Sequence, residues 1–579
     1  MPLYVGTAQG APGPAPRSGW RDLAATLLLL ATLITVGAGV RQMAAPLAGV
    51  HPAALSLSPT VLPLYVLRTA TRMLLALAAS LLFTLTYATL AAKSRRAEKV
   101  LIPLLDVLQS VPVLGYLSFT VMFFIALAPH SMLGAELAAI FAIFTSQAWN
   151  MAFSFYQALR TVPTDLDEAS RSFRATGWQR FWRLEVPFAM PGLIWNMMMS
   201  MSGGWFFVVA SEAISVGSTQ ITLPGVGSYV ALAIAQRDLT AVGWAIAAMT
   251  GAILLYDQLL FRPLVAWADK FRFEETGALQ RPASSWVLNL LRGSRLLSLA
   301  TAPLGHALQQ ASRARLALPA RWRHRLHWSP PRRLVGLVWY TLLVGAAGYL
   351  VWELVRLAGA ALSYSDLREV AGEGVLTLLR VVLLVALASL IWVPIGVSIG
   401  LRPVLSQSVQ PLAQFLAAFP ANLLFPLAVV GIVRFNLTPW LWLSPLMILG
   451  TQWYVLFNVI AGASAFPSDL REVAASFRVR SRRWWREVML PGVFPYYVTG
   501  AITASGGAWN ASIVSEAVRW GPTRLNGHGL GAYIAARTEA GDLAHVALGI
   551  ALMSLMVIIM NRLLWRPLYA FAARRTRLD

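Results

Sequence analysis

Two Ser-Glu pairs, Ser211-Glu212 and Ser515-Glu516, stand 304 residues apart, each at the end of a long apolar stretch. A carboxylate at membrane depth is costly and usually faces the interior of a bundle. Two readings stand for Glu212 and Glu516: a gate or solute-contacting pair, or interfacial carboxylates bonded to a nearby arginine or backbone amide. Trp205 and Trp509, seven residues earlier, share the face of each glutamate two turns inward, where they either line a cavity or fill the bundle. Covalent chemistry has little to work with. The 579 residues include no cysteine, which removes disulfides, thiolate metal sites and thiol nucleophiles. The seven histidines are scattered, no metal-spaced cluster or nucleophile–base pair stands out, and no cofactor is implied. No G-x-x-x-x-G-K-[ST] loop is present to cradle phosphates, and the only lysines are Lys93, Lys99 and Lys270. The expectation is a protein that is not itself an enzyme.

The elements that would carry these residues are membrane helices. The chain is 57% hydrophobic and only 12% charged, about half the charge of a soluble domain. Stretches long enough for a bilayer, roughly 20 residues each, fall at 23–40, 73–92, 111–127, 132–155, 193–209 and 241–260, then at 334–357, 375–401, 412–433, 441–463, 493–514 and 546–564. The expected fold is all-α, with about twelve transmembrane helices in two six-helix halves. The formal charge of +22 raises nucleic acid as a partner, but basic residues concentrate on alternate loops. Arg17 and Arg21 precede the first stretch, Lys93–Lys99 follows the second, residues 160–183 are arginine-rich, and 262–333 follows the sixth. The intervening loops hold only Arg41, Arg68 and Arg72, or Arg237 beside Asp238. This is the positive-inside pattern: it places both termini and the central linker in the cytoplasm, and makes lipid rather than nucleic acid the partner. The N-terminal apolar run is long for a cleaved signal peptide and reads as an uncleaved anchor.

The chain repeats itself. The stretch Pro163–Arg174, PTDLDEASRSFR, recurs as PSDLREVAASFR at Pro467–Arg478, an offset of 304 that also pairs Pro187 with Pro491, Trp205 with Trp509 and Gly227 with Gly531. Upstream, Pro103 and Pro112 match Pro411 and Pro420 at an offset of 308. Domains are therefore expected at 22–270 and 334–579, related by a pseudo-twofold axis along the membrane normal, behind a flexible tail at 1–21. The linker, 271–333, reads either as amphipathic pieces against the anionic inner leaflet or as a disordered tether. Asn196 and Asn510 are polar positions inside apolar stretches with no equivalent in the other half, as a single solute bound off axis would require.

Each half carries one unusual loop between its fourth and fifth stretches, 160–191 and 464–495. Phe173 and Phe477 lie four residues beyond Ala169 and Val473, so each pair shares a helix face. Charged and aromatic residues then alternate up to a proline. These loops resemble the EAA loop of binding-protein-dependent ABC importer permeases, with the pattern E-A-A, three residues, G, about nine residues, then hydrophobic-x-L-P. Glu168 and Glu472 match the glutamate, Ala169 and Ala474 match alanines, and Pro187 and Pro491 match the closing proline. Arg174 and Arg478 stand where the glycine belongs; Gly177 is a candidate for the turn in the first loop, but its counterpart is Ser481. The sequence SGGWFFVVASEAI at 202–214 and the LPGVGSYVALAIAQRDL that follows are similar to nitrate/sulfonate/taurine-type permeases.

The resemblance implies a type I importer permease fused in tandem, in which the first helix of each loop seats in a cytoplasmic ATPase. Two ATPase subunits, an extracytoplasmic solute-binding protein and alternating access follow from it, with a small solute, an anion of nitrate or sulfonate type, as cargo. No homodimer is needed, because both halves share one chain. The competing reading is a secondary transporter of 6+6 helices driven by an ion gradient.

Overall fold

The computed structural model describes residues 22–27, 55–128, 131–216, 219–271, 285–314 and 363–575, with single positions at 30, 341, 344–345, 348–349, 352 and 356. The tail 1–21, most of the stretches 23–40 and 334–357, and the linker segments 272–284 and 315–333 lie outside the described residues.

The first half runs α1 Leu62–Lys93, α2 Arg95–Ser110, α3 Val113–Leu127, α4 Leu133–Arg160, α5 Thr164–Ser172, α6 Gly177–Arg180 and α7 Val186–Ser211. It continues with β1 Ala213–Val216, β2 Thr219–Thr222, α8 Val226–Gln236, α9 Leu239–Tyr256 and α10 Arg262–Ala268. The linker contributes α11 Trp286–Gly293 and α12 Arg295–Arg313. The second half runs α13 Tyr364–Gly400, α14 Pro403–Ala418, α15 Phe425–Arg434, α16 Pro439–Trp442, α17 Leu446–Leu449, α18 Gln452–Ser464, α19 Ser468–Ser476, α20 Ser481–Arg483 and α21 Leu490–Ser515. It closes with β3 Ala517–Trp520, β4 Thr523–Asn526, α22 Leu530–Ala540, α23 Leu543–Met560 and α24 Arg566–Arg575. Among the described residues six helices are long and apolar enough to cross a membrane, or eight when each bent pair counts as one span.

Breaks correct the expected spans. The stretches 412–433 and 441–463 are not single helices: the first bends by 78° after Ala418 and the second by 40° after Leu449. Pro420 forces the residue before it out of the helical region, and Phe419 is extended, at φ −69° and ψ 127°. Val111, before Pro112, does the same at φ −80° and ψ 122°, so 111–127 becomes the short helix α3 after a break. Four π turns, at Phe181–Glu185, Asp257–Phe261, Trp484–Met489 and Asn561–Trp565, each stand two residues before a proline. A proline cannot donate and its ring crowds the carbonyl four residues back. The wider turn, closed by bonds such as Val186 N–H to the Phe181 carbonyl, relieves that crowding and lets the helix continue.

Two β-hairpins are additions the all-α expectation did not contain. β1 pairs antiparallel with β2, and β3 with β4 at the equivalent positions 304 residues on.

By contact the chain forms two compact units that do not follow the sequence halves. One gathers Met1–Ile34, Ser154–Asn196 and Asp257–Ser363, and so holds the first loop helices and the linker helices. The other gathers Thr35–Phe153, Met197–Tyr256 and Tyr364–Asp579. Its main core draws on both sequence halves, with Val113, Leu117, Val121, Ala138 and Phe207 beside Val381, Ala508, Trp509, Ile513 and Met553.

Candidate functional site: two elbows, two charge clamps and a seam

The elbows are built alike and braced differently. α5 and α19 each end on a residue in the left-handed region, Arg174 at φ 52° and Arg478 at φ 51°. In the first, Arg174 N–H donates to the Arg171 carbonyl at 2.8 Å and Ala175 N–H to Ser170 at 3.1 Å; Arg478 and Val479 repeat the pattern at 3.0 and 2.9 Å. Such a paired closure satisfies the last carbonyls of a helix and is normally made with glycine. The arginines thus occupy the turn themselves. Gly177 does not supply it: it is the first residue of α6, whose start is fixed by a capping box between Thr176 and Gln179. Of the Glu-Ala-Ser and Glu-Val-Ala triplets, only the third residue is buried, Ser170 at 4% exposure and Ala474 at 5%. Glu168 and Glu472 are exposed and Ala169 is half-buried. Phe173 and Phe477 stand out at 65% and 79% exposure, with Val473 exposed beside Phe477. In the first elbow Arg180 ties α5 to the π turn, reaching Asp167 at 2.9 Å and Glu185 at 3.0 Å. The second has Trp484 in place of that arginine and rests Trp484, Trp485 and Val488 on the cluster of Phe466, Met489 and Val493. Pro187 and Pro491 sit in the first turn of α7 and α21, after their π turns.

At the other end of α7 and α21 lie the two glutamates, both buried. Glu212 accepts from Arg72 Nη1, Thr69 Oγ1 and Gly227 N–H, each at 2.6 Å. Arg72 also grips Glu136 with a two-pronged contact, Nε at 2.6 Å and Nη2 at 2.7 Å. Glu516 accepts from Arg380 Nη1 at 3.2 Å, Thr377 Oγ1 at 3.0 Å and Gly531 N–H at 2.8 Å. The donors on α1 and α13 are spaced three apart and so share a helix face. The amides come from the starts of α8 and α22, where helix N-termini favour anions. Trp440 occupies the position equivalent to Glu136, and its backbone carbonyl receives Arg380 Nη2 at 3.3 Å. Arg72 therefore holds two carboxylates, Glu136 and Glu212, and Arg380 holds Glu516.

Within the larger unit the sequence halves meet at a seam. Asn510 Oδ1 accepts the Val113 N–H at 2.8 Å, capping α3 after its proline break. Reciprocally, Asn422 Nδ2 donates to the Phe206 carbonyl at 3.3 Å, and Phe206 is the residue equivalent to Asn510. The Asn422 Oδ1 and Trp509 Nε1 atoms are buried with no partner. Gly115 packs so closely on Ile550 and Ile513 that a Cβ there would lie 3.0 Å from Ile550.

Residues 81–262 and 392–575 each match the family described as binding-protein-dependent transport system inner membrane component. The chain belongs to this family. It holds two copies of the permease unit in tandem, one match falling within each half of the repeat. Relatives include the bicarbonate transport system permease protein CmpB of Synechocystis, 26% identical over 136 residues, 24% of this chain and 47% of that protein. The nitrate import permease protein NrtB of Leptolyngbya laminosa is 24% identical over 187 residues, 32% of this chain and 63% of that one. The glycine betaine/proline betaine transport system permease protein ProW of Escherichia coli is 33% identical over 137 residues, 24% of this chain and 36% of that one. The chain spans about half the length of the first of these, CmpB.

Several residues of this permease sit elsewhere than expected. Arg72, read as a loop charge, is inside α1 and fully buried, because two carboxylates and the Pro224 carbonyl satisfy its donors. Arg237 turns away from Asp238 to Thr523 at 3.3 Å, while Asp238 accepts the Ala241 N–H at the start of α9. Trp205 and Trp509 are packed inside the bundle, Trp205 edge-on to Tyr256. Asn196 bonds Ser154 Oγ at 2.8 Å and the Gly192 carbonyl at 3.0 Å. The clamp donors and Asn422 were missed, although Thr69 and Arg72 recur as Thr377 and Arg380 at the same offset of 308 that pairs the prolines.

Proposed function

We propose that this chain is the transmembrane permease subunit of an ATP-driven importer for a small solute, with each elbow seated in one of two separate ATPase subunits. The observation that carries the reading is the pair of solvent-facing elbows, each presenting a large apolar side chain, Phe173 or Phe477, on a helix whose third motif residue alone is buried. An exposed aromatic on a charged, rigidly closed helix stabilises nothing within the chain and suits a groove on a partner. ATP-driven closure of that partner would pull the elbows together and rock the bundles as rigid bodies. An extracytoplasmic binding protein would deliver the solute, consistent with the family description. The membrane is the bacterial inner membrane, with both termini and the linker 271–333 on the ATPase side and permease domains at 22–270 and 334–579.

Glu168, Ala169, Phe173, Arg174, Gly177 and Pro187 form the first docking elbow, and Glu472, Ala474, Phe477, Arg478 and Pro491 the second. For the pathway we favour the seam: Asn510 and Asn422 flank it, Trp205, Trp509, Glu212 and Glu516 set the helices around it, and Asn196 is a secondary candidate. A small anion of the nitrate type is the favoured cargo, supported by the bicarbonate and nitrate names of two relatives. The test is uptake of labelled nitrate, bicarbonate and glycine betaine into proteoliposomes containing the chain, its cognate ATPase and its binding protein. ATP-dependent, vanadate-sensitive uptake of one of them is the expected result. Uptake by the chain alone on an ion gradient would establish the secondary-transporter reading instead.

A further inference from the structure

The linker helices are held in place from both ends, within one compact unit. At its start, α12 offers the Arg295 N–H to Asp22 Oδ1 at 2.6 Å, and Ser294 accepts from Leu297 N–H at 3.3 Å. At its end, the Trp178 indole N–H donates to the Ala311 carbonyl at 2.8 Å and Gln179 Nε2 to the Arg313 carbonyl at 2.8 Å. The last carbonyls of a helix lack partners within it, so these two side chains, with the Ala314 N–H that also reaches the Ala311 carbonyl at 3.2 Å, act as its cap. Both belong to α6, the second helix of the first elbow. Their counterparts in the second elbow, Arg482 and Arg483, are exposed. α11 is anchored in turn by Trp286 Nε1 to Gln258 Oε1 at 3.3 Å.

Held this way, α11 and α12 leave apolar side chains in solvent: Trp286 is 58% exposed and Leu308 63%. On α12, Leu297, Leu308 and Ala311 fall on one face, while Arg295 and Arg313, eighteen residues apart, fall on another, beside the exposed Leu299. Between Glu275 and Glu353 the sequence has no acidic residue and ten arginines. A helix with an apolar face beside a basic one lies in the plane of a membrane surface, and basic residues near an anionic leaflet are each attracted to it. We propose that α11 and α12 are a docking platform for anionic phospholipid at the ATPase-facing surface, and that Trp178 and Gln179 couple this platform to the first elbow only. The bilayer composition then acts on one of the two elbows. The coupling to transport rests on the importer reading; the lipid contact does not.

The test is hydrogen exchange on the full chain in nanodiscs of phosphatidylcholine, alone or mixed with phosphatidylglycerol. Anionic lipid is expected to slow exchange in 286–313 by about tenfold and to slow it in 177–183 as well, leaving 481–487 unchanged. R292Q/R295Q/R313Q should abolish both effects. W178A/Q179A should keep the first and lose the second. Equal exchange in the two lipids, or protection that survives the triple variant, overturns the lipid platform and points to a protein partner on that face. Protection of 177–183 that persists in W178A/Q179A overturns the coupling. Thermal unfolding of each variant checks that the bundle is intact, and a failure of ATP-driven uptake leaves the lipid result standing.

Discussion

Arg72 and Glu212, 140 residues apart in the chain, meet at 2.6 Å with neither side chain reaching solvent. Arg380 and Glu516 repeat the pairing at 3.2 Å. The two clamps are unequal in charge, since Arg72 alone carries a second carboxylate, Glu136. Breaking a buried pair by removing one partner leaves an uncompensated charge and costs about 3–5 kcal/mol.

Arg72→Met should therefore destabilise the chain by about that amount, and more than Arg380→Met, because it takes a guanidinium from two carboxylates rather than one. The triple variant R72M/E136Q/E212Q removes the stranded charges and should recover most of the loss. Thermal unfolding followed by tryptophan fluorescence in detergent checks the order. Equal loss for R72M and R380M would mean the second carboxylate contributes nothing.

The clamps explain what the sequence could and could not disclose. Composition, charge distribution and the repeat were enough for helices, halves and elbows, because each is a local pattern or one repeated at a fixed offset. Arg72 was hidden because it stands one residue before an apolar run, where hydropathy alone puts it in a loop; only its partners, Glu136 on α4 and Glu212 just beyond α7, make burial affordable. The bends after Ala418 and before Val113 were partly legible, since Pro420 and Pro112 are visible, yet an apolar run on both sides masks a turn. The hairpins were invisible for a simpler reason: four-residue strands carry too few alternations to register.

Gly227 and Gly531 sit where α8 and α22 press on the ends of α7 and α21. A Cβ at Gly227 would overlap the Val209 carbonyl, and one at Gly531 the Ser512 carbonyl, backbone atoms that cannot swing aside. Both amides also donate to a clamp glutamate, at 2.6 and 2.8 Å. Overpacking of this kind costs about 1–3 kcal/mol. Gly227→Ala and Gly531→Ala should each lower the unfolding temperature, while Gly243→Ala, with open space around it, should not. A stable G227A would show that the helices can separate there without loss.

The elbow turns make the opposite prediction. Arg174 and Arg478 hold a left-handed backbone that a side chain disfavours by roughly 1 kcal/mol relative to glycine. Arg174→Gly and Arg478→Gly should slow exchange of the closing amides of Ala175 and Val479 by about fivefold. Arg174→Val should speed it, since a β-branched residue fits that region worst. If glycine leaves exchange unchanged, the arginine side chains are stabilising the turn by contacts of their own.

Phe173 and Phe477 separate docking from folding. Each is largely exposed, so truncation removes little buried area, and surface changes of this kind alter stability by no more than about 0.5 kcal/mol. An aromatic anchor in a partner's groove, by contrast, is worth about 2 kcal/mol or more when truncated. Phe173→Ala and Phe477→Ala should thus leave thermal unfolding unchanged while weakening ATPase capture by roughly thirtyfold each, and the double variant should purify without the ATPase. The elbows differ in their support, Arg180 bridging Asp167 and Glu185 in the first and Trp484 packing in the second. Asp167→Asn should consequently loosen only the first, so that D167N mimics F173A in a capture assay and has no further effect in its background. Additive losses from D167N and F173A would mean that the bridge contacts the ATPase directly rather than holding the helix that presents Phe173.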